Sequence, residues 1–95
     1  MFGLNDDELK VMETFGKVEI SQNKNVDFHS IRKRLPLKYH KNLKKIIDGL
    51  ITKKLIRPYR GEDNYALTDE GFRIANYLWK ERREKTYGFR IIKRG

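Results

Sequence analysis

Leu9, Met12 and Phe15 recur at the spacing of one helix face. Asn5 stands where an N-cap belongs, and Glu8 follows three residues later, the arrangement of a capping box. The pattern predicts a helix over 6–15, with Gly16 able to end it in the left-handed conformation. Val18 and Ile20 alternate with polar residues, which permits a short strand over 18–20. Ser21 to Asn25 is a polar connection. Asp27 is the next N-cap, with Val26 and Ile31 at the spacing of a hydrophobic staple. Phe28, Ile31 and Leu35 share a face and predict a helix over 28–35. Pro36 disfavours helix at Leu35 and stops it there.

A longer helix is predicted over 38–54. At 100° per residue Tyr39, Leu43, Ile46, Ile47 and Leu50 fall together on one side. Lys38, Lys41, Asn42, Lys45, Gly49 and Thr52 fall nearly opposite, and Lys44 flanks them. Leu55 to Tyr59 and Tyr65 to Leu67 read as two strands around a turn-rich centre, Arg60 to Asn64, so a hairpin is expected over 56–67. Pro58 cannot donate to a ladder, which puts its strand at a sheet edge. Thr68 caps a last helix over 69–85, with Asp69 and Glu70 at its positive end and Arg82, Arg83 and Lys85 at its negative end. Phe72, Ala75, Leu78 and Trp79 face one way, and Ile74 and Tyr77 point elsewhere. Two readings follow for this doubly apolar helix: a wide contact with the chain's own core, or a homodimer contact through 69–85 using Ile74, Tyr77 and Leu78. The domain is drawn as 1–85, followed by a basic tail, 86–95. In the tail Tyr87, Phe89 and Ile91 alternate and permit an added strand, and Arg90, Lys93 and Arg94 suit a nucleic-acid arm.

The fold class is therefore α+β and mostly helical. At 95 residues the chain is one domain with one small core. It has no Cys, which excludes disulfides, thiolate metal sites and thiol nucleophiles and suits a cytoplasmic setting. No apolar run reaches membrane-spanning length, so no membrane partner is expected, and acids rather than bases open the chain, so no secretion signal is visible.

Charge changes the picture most. The net charge is +9. Between Phe28 and Arg60 stand Arg32, Lys33, Arg34, Lys38, Lys41, Lys44, Lys45, Lys53, Lys54, Arg57 and Arg60, which is 11 of the chain's 22 bases. Asp48 is the one acid in that stretch. A positive field concentrated in this way suits a polyanion, nucleic acid first. The long helix lacks Glu at i+4 from its lysines, so salt bridges along the helix do not neutralise the strip. An ordinary solvated helix face is the competing reading.

The run Asn42-Leu-Lys-Lys-Ile-Ile-Asp-Gly-Leu-Ile-Thr-Lys-Lys-Leu-Ile-Arg57 resembles the recognition helix and first wing strand of winged helix-turn-helix regulators, including the MarR and PadR types. Tyr65-Ala-Leu-Thr-Asp-Glu-Gly71 is similar to their wing exit, written Leu-Thr-x-x-Gly. The resemblance spans about Asp6 to Trp79. It implies that Lys38, Lys41, Asn42, Lys44 and Lys45 lie at or near a DNA groove, and that Arg57 and Arg60 lie on the wing by the backbone. Arg32 and Lys33 join them as candidate DNA-binding residues. Two departures stand out. The family often has Gly where this chain has Lys54, and the long flanking helices of the MarR dimer are missing.

The expected function is double-stranded DNA binding, sequence-specific or weakly specific, in transcription regulation. Lysines would neutralise phosphates and release counterions, and Asn42 is suited to bond an adenine edge. The alternative is an RNA-associated or protein-docking module, with Tyr59 and Tyr65 stacking on unpaired bases. An enzyme is not expected. His29 and His40 are the available neutral-pH bases, with no nucleophile or carboxylate pair beside them in sequence. No phosphate loop, metal-spaced cluster or catalytic Ser motif appears, so neither a cofactor nor a metal is expected.

Overall fold

The computed structural model describes residues 1–18, 25–61 and 63–94, with side chains described up to residue 82. Its elements are α1 (Asp6–Val18), β1 (Val26–Asp27), α2 (Phe28–Lys33), α3 (Leu37–His40), α4 (Leu43–Thr52), β2 (Ile56–Pro58), β3 (Asn64–Leu67) and α5 (Asp69–Arg94). The domain is mostly helical, with one small three-stranded antiparallel sheet of order β1-β3-β2. This order of helices, short first strand and hairpin is loosely that of a winged-helix arrangement.

α1 opens on the expected capping box. The Asn5 side chain accepts from the Glu8 N–H at 2.8 Å, and the Glu8 carboxylate accepts from the Asn5 N–H at 3.0 Å. Val11, Met12 and Phe15 are fully buried, and a side chain of this kind contributes roughly 1.5–3 kcal/mol on burial. The helix does not end at Gly16. Gly16 is buried inside it, where a Cβ would overlap the Ala75 carbonyl of α5 and crowd the Trp79 side chain. Glycine here permits close packing of two helices, not termination. The short strand expected over 18–20 is not found at Val18, which closes α1; residues 19 and 20 lie outside the described residues. The sheet's first strand is Val26–Asp27 instead, with Val26 opposite Tyr65 and Asp27 opposite Asn64. A two-residue strand carries no periodicity, and its pairing partner is almost 40 positions away in sequence.

Asp27 then serves twice. It ends β1, and its side chain accepts from the Ser30 N–H at 3.1 Å, capping α2. α2 stops at Lys33, two residues before the expected Leu35. Arg34 and Leu35 leave it in a turn, donating to the Ile31 and Arg32 carbonyls, and Pro36 follows.

The helix expected over 38–54 is two helices. α3 is a single turn fixed to the residues just before it: Tyr39 N–H donates to Pro36 O at 3.0 Å and His40 Nε2–H to Leu35 O at 2.9 Å, both acceptors lying in the turn after α2. Asn42, at φ −107° and ψ 8°, leaves helical geometry, and its carbonyl accepts from Ile46 N–H to start α4 afresh. The break has a physical basis: α3 buries no residue and is bonded back to the Leu35–Pro36 turn, whereas α4 is oriented by burying Leu43, Ile47 and Leu50.

α4 ends as a Schellman motif. Leu55 N–H donates to Leu50 O at 3.0 Å and Lys54 N–H to Ile51 O at 2.9 Å. Both Leu50 and Leu55 are buried, which supplies the hydrophobic contact of that motif. Lys54 therefore occupies the left-handed position, at φ 61°. The position where the resembling family often carries Gly is one whose backbone favours Gly.

The hairpin pairs as expected: Ile56 with Leu67, Arg57 with Ala66, Pro58 with Tyr65, and β2 lies at the sheet edge. Thr68 joins the hairpin to α5. Its hydroxyl accepts from Gly71 N–H at 3.0 Å and donates to Lys54 O at 2.7 Å, while its own N–H donates to Leu55 O at 3.1 Å. A Cβ on Gly71 would overlap that Leu55 carbonyl. The Leu-Thr-x-x-Gly sequence thus locks the start of α5 onto the turn after α4.

α5 is longer than the 69–85 expected. It continues to Arg94, so residues 86–94 are helical where alternation permitted a strand. Ile74 is buried in the core and Leu78 packs partly against it, which leaves Tyr77 as the exposed member of the trio suggested for self-association. The Phe2 ring meets Tyr77 edge-on at 5.6 Å.

Candidate nucleic-acid interface

The described cations on α2, α3 and α4 divide into those held by the protein and those left to solvent. Arg32 and Lys33 on α2, Lys38 on α3, Lys41 between the two short helices, and Lys45 on α4 are all exposed. So are Arg57 on β2 and Arg60 in the hairpin loop. None of these seven forms an ion pair with another described residue. Neighbouring cations without acids repel one another, a cost that an arriving anion removes.

Asn42 is exposed at the first position of α4 and makes no side-chain capping bond there. The amide is therefore not used up on its own helix. α4 has no acid in its own first turn, and Asn42 and Lys45 line a cleft that also takes in Asp7 and Glu8 of α1.

Lys44 behaves differently. Its ammonium donates to the Tyr65 hydroxyl at 2.9 Å and to Asp63 Oδ1 at 3.4 Å. It also lies 5.5 Å from the Tyr65 ring centre and 6.0 Å from that of Phe28. The Tyr65 hydroxyl first, and Asp63 after it, hold the Lys44 ammonium above the usual lysine range. Lys44 thus joins α4 to β3 and the hairpin loop. Asp63 takes the left-handed conformation, φ 61°, and its carbonyl accepts from Phe28 N–H at 2.7 Å, so the loop is anchored to α2 as well. Of the candidate residues, Lys44 is the one that hydrogen-bonds to side chains of other elements.

Two smaller arrangements order the remaining cations. The guanidinium groups of Arg57 and Arg60 lie 5.5 and 6.0 Å from the Tyr59 ring centre, so one tyrosine orients both hairpin arginines. Lys38 lies 5.2 Å from the Tyr39 ring centre. Tyr65, one of the two tyrosines suggested for base stacking, is buried, with its ring in the core and its hydroxyl on Lys44. Tyr59 is half-buried and is the member of that pair still within reach of solvent.

Sequence reasoning passed over two features of this face. Leu37 lies between the helices expected over 28–35 and 38–54, yet among the described residues it is the most exposed large hydrophobic one, at 83 %. Lys53 was counted simply as a base, but it is committed elsewhere: its ammonium lies 2.7 Å from the Glu8 carboxylate and 3.1 Å from the Gly3 carbonyl. Burial pushes the Glu8 carboxyl up, but the Lys53 hydrogen bond, the Asn5 N–H and the Lys53 charge together hold it below the usual glutamate value.

Among the described residues no group of three His, Cys, Asp or Glu side chains is placed to hold a metal ion, and no helix is long and apolar enough to cross a membrane. Compared with known proteins, the chain matches no family model, no curated protein and no solved structure.

Proposed function

We propose that this domain is a winged helix-turn-helix module that binds double-stranded DNA and acts in transcription regulation. In this reading α3 and the first turn of α4 enter the major groove, and the β2–β3 hairpin is a wing that lies along the backbone. The observation that carries it is the set of exposed cations, Lys38, Lys41, Lys45, Arg57 and Arg60, with no described acid partner, on two neighbouring structural units. A stable monomer gains nothing from leaving them uncompensated, whereas a phosphate backbone offsets the repulsion and releases its own counterions.

Lysines that contact phosphates position a protein on the duplex without reading bases. Asn42, uncapped and exposed, is the polar candidate for an adenine edge. Lys44, held by Tyr65 and Asp63, sets the wing relative to α4 and contributes its charge from a fixed place.

The test is the double variant Lys41→Ala/Lys45→Ala. Losing two phosphate contacts lowers the slope of log affinity against log salt by roughly 1.8 on duplex DNA. Thermal stability is expected to stay put, because both side chains are exposed. An unchanged slope and affinity would remove the α3–α4 face from the binding surface. The RNA or docking alternative is decided by competition: single-stranded RNA displacing duplex DNA at equal salt moves the assignment to RNA.

A further inference from the structure

Resting on that reading, we infer that Leu37 reads thymine, by placing its side chain against the 5-methyl group in the major groove. Lysines and arginines on such a surface contact phosphates or guanine edges, so recognition of an adenine–thymine pair falls to its uncharged members. Within 37–45 the exposed uncharged residues are Asn42 and Leu37.

Leu37 is the first residue of α3 and is 83 % exposed. Its position is well fixed. Pro36 before it is set at φ −57° and ψ 153°, and the Pro36 and Leu35 carbonyls accept from Tyr39 N–H and His40 Nε2–H. Lys41, still helical at φ −59° and ψ −41°, follows at i+4, so the isobutyl group and the Lys41 side chain share one face of the turn. Lys38 is next to it in the chain, and Arg34, also exposed, lies three residues before. The partner that covers Leu37 must therefore be anionic around an apolar spot.

Duplex DNA offers that combination. Thymine alone among the four bases presents an apolar group, its C5-methyl, on the major-groove edge. A cytosine amine or a purine N7 set against Leu37 would be desolvated without a hydrogen bond. An anionic membrane also has charge outside and hydrocarbon inside, but membrane-binding helices carry a broad apolar face, and α3 is a single turn with one exposed leucine.

The probe pair is a short alternating adenine–thymine duplex and the same duplex with deoxyuridine replacing every thymidine, which deletes the methyl and keeps the hydrogen-bonding edges. Native protein is expected to bind the thymine duplex about fourfold more tightly, the ratio for removing one methyl-sized apolar group from water. Leu37→Ala and Leu37→Ser are expected to bind both duplexes alike, with melting temperatures equal to that of the native protein, since no cavity opens. Equal affinity of the native protein for the two duplexes overturns the inference, as does discrimination that survives in Leu37→Ala. Failure to bind either duplex at low salt overturns the DNA reading itself, and this inference with it. Leu37-dependent binding to phosphatidylserine vesicles, without discrimination between the duplexes, assigns the residue to a membrane and overturns the inference.

Discussion

Lys54 holds the left-handed position that closes α4, at φ 61°, and Lys54→Gly is expected to stabilise the domain. For an L-residue that conformation costs about 1–2 kcal/mol, through the approach of Cβ to the following carbonyl. Glycine removes this cost and adds about 0.4–1 kcal/mol of unfolded-chain entropy against folding. The net is a gain of ~1 kcal/mol, which for a domain of this size raises the melting temperature by roughly 4–8 °C. Lys54 takes part in these bonds through backbone atoms: its N–H donates to Ile51 O, and its carbonyl accepts from the Thr68 hydroxyl. Glycine keeps both. Lys54→Ala is the control, because it deletes the same charge and the same methylenes but retains Cβ. Urea and thermal unfolding followed by circular dichroism measure all three proteins. Glycine no more stable than alanine would refute the reasoning, since the variants differ only in the backbone freedom on which it rests.

Gly71→Ala is expected to destabilise by about 3 kcal/mol, the upper range for overpacking, because the new methyl overlaps the Leu55 carbonyl, which is backbone and cannot swing away; unfolding in urea checks it, and near-native stability would mean that α5 can shift off the turn at little cost. The Glu8–Lys53 contact carries a pH dependence. The Glu8 carboxyl is held below its ordinary value of 4.5, so its contribution is complete above that pH and is lost as the pH falls through the lower, folded-state value. Stability of the native protein should therefore decline from about pH 4.5 downward more steeply than that of Glu8→Gln, which is less stable at pH 7 and lacks this titration; parallel stability–pH curves for the two proteins would remove Glu8 as a cause.

How much was legible depends on the range of each interaction. The capping box of Asn5 and Glu8, the Asp27 cap and the Thr68 cap were read correctly because each closes within three residues. The hairpin and its edge strand were read from a proline and a cluster of turn residues. Errors fall where a local signal met a distant constraint. Gly16 was read as a helix stop because glycine is a common one; the neighbour that needs its missing Cβ is Ala75, far along the chain. Helical periodicity continues unbroken from Tyr39 to Leu50, so the interruption at Asn42 left no trace in the apolar pattern. Its causes are the bonds from α3 to the Leu35–Pro36 turn and the burial of α4 in the core.

The candidate cationic face divides in the same way. The concentration of bases in residues 28–60 is a property of composition, and the chain alone determined it; the cationic side expected along one helix over 38–54 is divided by the structure between α3, Lys41 and α4. Which lysines remain available was settled by the tertiary structure. Lys44 meets Asp63 and Tyr65 from 19 and 21 positions away, and Lys53 meets Glu8 from 45 positions away. Charge is a property of a residue and can be counted along a chain, but an ion pair is a property of two residues at close range, and folding decides which ones meet.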